Sequence, residues 1–240
     1  MKSILIYGKH SVLAAMFNSR RHVDEIFITK KCYEELEDQI LKSDRKSLIK
    51  IVDNSYIKRI AGEENASQGI LLKARTIEQP TFDQAVRKFK EGNILIIDGI
   101  EDPRNLGSII RSAAAFGIKF IVLPKHNTPE ESSYMLKSAA GYFEKIPLVY
   151  VSNIYRSMEL LKKEGYWIIG LDAGSEKNLT DVQNFEKTAL LIGAEGKGIR
   201  HGTLKGCDIV AKIFMESNVE SLNVSNAAAI AMYELYKLKQ

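Results

Sequence analysis

Cysteine and histidine are scarce in this 240-residue chain, which has two cysteines (Cys32, Cys207) and four histidines (His10, His22, His126, His201). The cysteines lie far apart without a CxxC pair, and the histidines form no HxH or HxxxH pair. A zinc site is therefore not expected, and a disulfide scaffold is excluded. Long apolar runs are missing as well. The stretch Ile4–Tyr7 is too short for a signal-peptide core, and nothing approaches the roughly 20 apolar residues of a membrane span. These absences point to a soluble protein of the reducing cytoplasm with no membrane partner. Neither GxGxxG nor GxxxxGK[ST] occurs, so an ordinary nicotinamide-binding sheet and a Walker loop both lose their signatures. No internal repeat or low-complexity segment is evident.

What is present is a globular composition, 45% hydrophobic and 27% charged, long enough for one large domain or two small ones. The net charge of +4 is unevenly placed. Residues 1–75 carry 14 Lys+Arg against 10 Asp+Glu, whereas residues 76–240 carry 20 against 20. A basic first third suits a polyanionic partner, although scatter on a soluble surface gives the same count.

Short β-like runs alternate with longer helix-period stretches. Strands are expected at Glu25–Ile28, Leu48–Val52, Ile70–Lys73, Ile94–Asp98, Phe120–Leu123, Leu148–Val151, Trp167–Leu171, Ala189–Ile192 and Ile209–Ile213. Helices are expected at Tyr33–Leu41, Leu106–Phe116, Ile154–Glu164 and Leu222–Leu238. Such alternation predicts an α/β fold, with a mainly parallel sheet in the larger part. Pro80 interrupts the pattern where the charge bias ends. The chain thus reads as a small α/β domain over residues 1–75, a linker over 76–85 and a larger α/β domain over 86–240.

Three segments carry chemistry. After the strand ending at Asp98 comes a helix in which Ile109, Ile110, Ala113 and Phe116 share an arc of about 120°. Asn105 is placed to cap it. Arg111 points away from that arc among small residues, either to receive an anion or to sit in solvent. The second segment, Gly193-Ala194-Glu195-Gly196-Lys197-Gly198, is a glycine turn after a buried strand, either a flexible loop or a close backbone approach to a ligand. In the third, Ser221 to Asn226 opens an alanine-rich helix, with Ser and Asn as ordinary caps or as site residues, and the helix itself as a possible interface.

Taken together and in this order, Asn105-x-Gly107-x-x-x-Arg111, Gly193-Ala194-Glu195-Gly196 and Ser221-Leu222-Asn223-Val224-Ser225 resemble motifs 1, 2 and 3 of the SpoU/TrmH family of RNA 2′-O-ribose methyltransferases, in the SPOUT superfamily. The first 75 residues, with Tyr7-Gly8-x-x-Ser11-Val12-x-x-Ala15 and Gln68-Gly69-Ile70, resemble the family's L30e-like substrate-binding domain. That pairing looks most like the RlmB-type enzymes, which methylate a guanosine ribose of 23S rRNA. The resemblance implies a deep trefoil knot in a mainly parallel sheet, S-adenosylmethionine as methyl donor with no metal, and a homodimer.

Carried over by residue, the resemblance places Asn105, Arg111, Glu195, Ser221 and Asn223 in the catalytic set. It places Gly193, Ile213 and Leu222 at the donor, with Leu171 and Asp172 as further candidates. Arginine is a poor base because its guanidinium stays protonated. Arg111 is therefore expected to grip the neighbouring RNA phosphate and orient the 2′-hydroxyl. Arg20, Arg21, Lys30, Lys31 and Arg59 are candidate RNA-backbone contacts, and the reacting 2′-hydroxyl itself separates RNA from DNA. Phe214, Ser67 and Asn226 depart from the family pattern, which has proline, histidine and a small or apolar residue there. The same chemistry on tRNA or another rRNA nucleotide, and a non-catalytic RNA-binding protein of this fold, are the alternatives.

Overall fold

The computed structural model describes residues 1–62, 68–196, 198–216 and 218–239. The elements begin with β1 (Ser3–Tyr7), α1 (Lys9–Phe17), β2 (Val23–Ile28), α2 (Lys30–Ile40), β3 (Ile49–Ile51), α3 (Asn54–Ala61) and β4 (Ile70–Arg75). They continue with α4 (Phe82–Lys88), β5 (Ile94–Ile97), α5 (Pro103–Ala115), β6 (Ile121–Pro124), α6 (Ser133–Ser138), β7 (Leu148–Val151) and α7 (Ile154–Lys163). The chain closes with β8 (Trp167–Leu171), β9 (Thr188–Ile192), α8 (His201–Leu204), β10 (Ile209–Ala211) and α9 (Val224–Lys237). The nine expected strands are present to within a few residues, and β1 is added to them.

Two compact units result: Met1–Glu78 with Glu130–Lys145, and Gln79–Pro129 with Ile146–Gln240. The first holds a four-stranded sheet ordered β1-β4-β2-β3, with β4 antiparallel to β1 and β2 and with β3 parallel to β2. The second holds a six-stranded sheet ordered β10-β8-β9-β5-β6-β7, every pair parallel. Its central strands are continuous apolar runs. Ile94 to Ile97 and Ala189 to Leu191 are fully buried, as strands covered on both faces must be. Helix α4 starts inside the expected linker. A reciprocal capping box holds it there, with Gln84 N donating to Thr81 Oγ1 (3.3 Å) and Thr81 N donating to Gln84 Oε1 (2.9 Å).

The segment Glu130–Lys145 leaves the second sheet between β6 and β7 and is built into the first unit. Ser133 Oγ donates to Leu5 O, Ser11 Oγ donates to Leu136 O (2.8 Å), and Ile77 N donates to Glu131 Oε2 (2.9 Å). Arg21, expected on the RNA surface, is instead buried at the centre of this joint, with 1% of its area exposed. Its guanidinium donates to Glu131, to both carboxylate oxygens of Glu144 and to Arg75 O (2.9 Å). A cation so desolvated needs counter-charges, and the inserted segment supplies both. Burial pushes the Glu131 carboxyl above its usual range, against the pull of Arg21. Removing one member leaves the other charges buried and uncompensated. Arg21→Ala should cost about 3–5 kcal/mol in urea denaturation, and residues 1–78 produced without 130–145 should not show a cooperative unfolding transition.

Candidate active site

At the C-terminal ends of β8 and β9, and just beyond β10, the second unit opens a cleft of about 500 Å³. Its lining comes from Leu171–Gly174 at the end of β8, Ile192–Gly196 with Gly198 at the end of β9, Ile213, Met215 and Glu220–Leu222 before α9, and Val224 and Ala227 of α9 itself. All four expected donor-site residues (Leu171, Gly193, Ile213 and Leu222) line it, as do Asp172, Glu195 and Ser221. Carboxyl ends of parallel strands are where such sheets bind ligands, because the loops there diverge and leave room.

The glycine turn is shaped by contact as well as by backbone freedom. Gly196 and Gly198 take left-handed φ values of 73° and 64°. Gly193 does not, yet a Cβ there would lie 2.0 Å from the carbonyl carbon of Gly198 and 2.2 Å from Ile199 N. The turn closes on itself through Ala194 N to Gly198 O (3.0 Å) and Gly198 N to Ala194 O (2.9 Å). It carries the Glu195 carboxylate outward.

There Glu195 meets the other two motifs. Asn105 Nδ2 donates to Glu195 Oε2 (3.1 Å), and Asn223 Nδ2 approaches Asn105 Oδ1 (3.2 Å) and Glu195 Oε1 (3.4 Å). This triangle is accessible to solvent, so its polar groups remain open to a ligand. Asn105 does not cap α5. Asp102 does, accepting from Arg104 N (2.7 Å), and Pro103 follows in the first turn. The amide of Asn105 is thereby left free for Glu195. Asn223 serves twice, since its Oδ1 caps α9 at Ser225 N (2.9 Å) while its Nδ2 faces the triangle. The helix opens later than the expected Leu222, so Ser221 and Leu222 belong to the preceding polar loop.

Arg111 is exposed on α5 and is not joined to the triangle by any hydrogen bond or ion pair among the described residues. Ile109, Ile110 and Ala113 are buried on the opposite side, as their spacing predicts. Phe214, between the cleft residues Ile213 and Met215, is 79% exposed. Ser67 and Lys197 lie outside the described residues. Burial raises both thiols, Cys207 to about 11, so neither is a thiolate nucleophile at neutral pH. Among the described residues no group of His, Cys, Asp or Glu could hold a metal ion.

In the first unit Arg20, Lys30, Lys31 and Arg59 are exposed, with the Arg59 guanidinium 5.1 Å above the Tyr56 ring. Lys30 and Lys31 line a second cleft, of about 790 Å³, together with Lys9 and Gln68. Lys9 and Gln68 are missing from the sequence-based set because neither stands in a basic cluster. Gln68, in the Gln68-Gly69-Ile70 string, accepts at Oε1 from Lys9 N (2.6 Å).

The second unit thus joins a parallel α/β sheet, a glycine-turn cleft at its strand ends and an amide–carboxylate triangle beside the cleft. The model of the SpoU rRNA methylase family matches residues 92–233, and that of RNA 2′-O ribose methyltransferase substrate binding matches residues 5–80. The chain belongs to the SpoU family of RNA methyltransferases. It is 32% identical to a Staphylococcus aureus (strain MSSA476) protein named "Putative TrmH family tRNA/rRNA methyltransferase", over 99% of this chain and 97% of the relative. Its fold is that of the SpoU methyltransferase AviRb from Streptomyces viridochromogenes, solved in complex with AdoMet, with a TM-score of 0.79, 20% identity, and 99% and 90% of the two chains covered. A solved RNA 2′-O ribose methyltransferase gives 0.81 at 20% identity, with 99% of this chain and 89% of the other covered.

Two glycines of the turn separate crowding from backbone strain. Gly196→Ala, in open space at positive φ, should cost about 1–2 kcal/mol. Gly193→Ala, overlapping backbone that cannot give way, should cost about 3 kcal/mol or more in the same denaturation experiment.

Proposed function

We propose that the protein methylates the 2′-hydroxyl of a ribose in RNA, using S-adenosylmethionine held in the cleft after β8, β9 and β10, and that a guanosine of 23S rRNA is its substrate. The observation that carries this reading is the Asn105–Glu195–Asn223 triangle at the cleft that Gly193, Ile213 and Leu222 line. The cleft fits the donor's chemistry. Leu171, Ile192, Ile213, Met215 and Leu222 offer apolar surface for a heterocycle, and the glycine turn offers close backbone polar groups. Asp172, Glu195 and Glu220 put carboxylates on a cationic ligand. When bound, S-adenosylmethionine supplies a methyl group already activated on a sulfonium sulfur.

The remaining task belongs to this chain. A ribose hydroxyl is a weak nucleophile until its proton is polarised or removed. Asn105, Glu195, Ser221 and Asn223 hold the ribose side of the cleft in register and perform no covalent chemistry. Arg111 grips the adjacent phosphate and aims the hydroxyl, and that phosphate shares acceptance of the proton. Because Arg111 makes no hydrogen bond or ion pair to the triangle within one chain, we assign its partner site to a second copy. The exposed side of α9, with Ile230 and Tyr233, seats that copy, and Tyr233 and Tyr236 already pack on Phe116 at 5.7 and 6.0 Å between ring centroids.

Arg20, Lys30, Lys31 and Arg59 of the first unit hold the RNA backbone, so affinity falls with salt. No described helix is long and apolar enough to cross a membrane, and we place the enzyme with its RNA in the cytoplasm. Action on tRNA or another rRNA nucleotide is the second reading, favoured by the name of the Staphylococcus aureus relative, which covers both RNAs.

Incubation with methyl-labelled S-adenosylmethionine and unmodified 23S rRNA, with tRNA in parallel, should label a guanosine ribose of 23S rRNA. Label on tRNA alone would keep the chemistry and replace the substrate. Arg111→Ala should lower turnover by about a hundredfold or more; near-normal turnover with weakened RNA binding would remove Arg111 from the reacting centre. In sedimentation experiments the wild type should be a dimer and Tyr233→Glu a monomer.

A further inference from the structure

Asp98 is a carboxylate at the end of a strand that is otherwise apolar and fully buried, and only 1% of its side chain is exposed. It is not one of the residues that line the cleft. It does hold both ends of the glycine turn. Its backbone N donates to Ile192 O (2.9 Å), where the turn leaves β9. Its carboxylate accepts from Arg200 N (3.0 Å) and Arg200 Nε (3.0 Å), where the turn ends, and also from Arg200 Nη2. Arg200 Nη2 bonds the Asp98 carbonyl as well (3.1 Å). One residue thus brackets the whole segment that carries Glu195. Downstream of it, Asp102 caps the helix that carries Asn105.

We propose that Asp98 and Arg200 are positioning residues for methyl transfer, a clamp that sets the Glu195 turn against Asn105. The proposal rests on the assignment of the neighbouring cleft to the methyl donor. A buried ion pair is weak as a source of stability, since apolar residues of similar volume do as well. What the charged pair adds is a directional frame: a planar guanidinium and one carboxylate fix the turn in distance and in angle. The Arg200 side chain is 66% exposed and the Asp98 side chain 1%, so altering Arg200 removes no core side chain but leaves the Asp98 carboxylate short of a counter-charge.

The test compares full-length wild type, Arg200→Lys and Arg200→Ala. Arg200→Ala should quicken amide hydrogen exchange across residues 193–199 while β5 and β9 stay protected. It should lower kcat by about tenfold to a hundredfold and raise the donor KM, with RNA affinity unchanged. Arg200→Lys should restore part of both. A folded Arg200→Ala whose turn exchanges and reacts like wild type would overturn the clamp, and so would faster exchange with unaltered kinetics. If Arg200→Ala does not fold, the neutral pair Asp98→Asn with Arg200→Gln takes the same measurements; failure of both to fold would assign the pair to stability alone and overturn the proposal. A wild type that fails to bind S-adenosylhomocysteine would refute the donor site instead, and the exchange data would still judge the clamp.

Discussion

At Gly193 the chain leaves β9 with no room for a side chain, because the returning backbone of Gly198 and Ile199 occupies the space a Cβ would fill. This close passage makes the turn narrow and ties its two ends together. The turn presents the Glu195 carboxylate to Asn105 from α5 and Asn223 from the start of α9. The cleft follows from the same contact, since the turn forms one of its walls between the ends of β8 and the loop before α9. Three segments distant in the chain are thereby held within hydrogen-bond reach.

The first unit depends on a different solution. Its sheet has four strands, and the helices that cover it are completed from elsewhere in the chain. The inserted segment 130–145 adds a helix against β1 and two carboxylates for the buried Arg21. Beside the joint, Arg45 donates to the carbonyls of Ala15, Asn18 and Arg21 at 2.6 to 2.9 Å. Basic residues in this unit therefore divide into two kinds. Arg21 and Arg45 hold backbone and buried acids, whereas Lys30, Lys31 and Arg59 stay at the surface, where a polyanion could reach them.

Much of the fold was legible because parallel strands buried on both faces are uniform apolar runs, and such runs need no partner to be recognised. β1 and the helices α1, α3, α4, α6 and α8 lie outside the expected elements, and α6 is stabilised by a unit to which it is not adjacent in sequence. The site was legible as three separate motifs. The sequence offers Asn105 both as a cap and as a member of the catalytic set, because the two kinds of residue are the same chemical types; the position of Asp102 two residues before Arg104 shows which of them caps α5. Arg21 looked like its neighbour Arg20, for burial is not written in a residue's identity. Asp98 drew no notice because a lone acid after a strand is common, and its meaning lies in Arg200, 102 positions away.

By itself the sequence determined the alternation of strands and helices and the uniform apolar runs of the parallel strands. These depend on local periodicity and residue type, which act over a few positions of chain. The tertiary structure decided which residue caps α5, which arginine is buried, which segment completes the first unit and how the glycine turn is held. Each of those is settled by contact between groups tens of residues apart, and contact is a property of the packed chain.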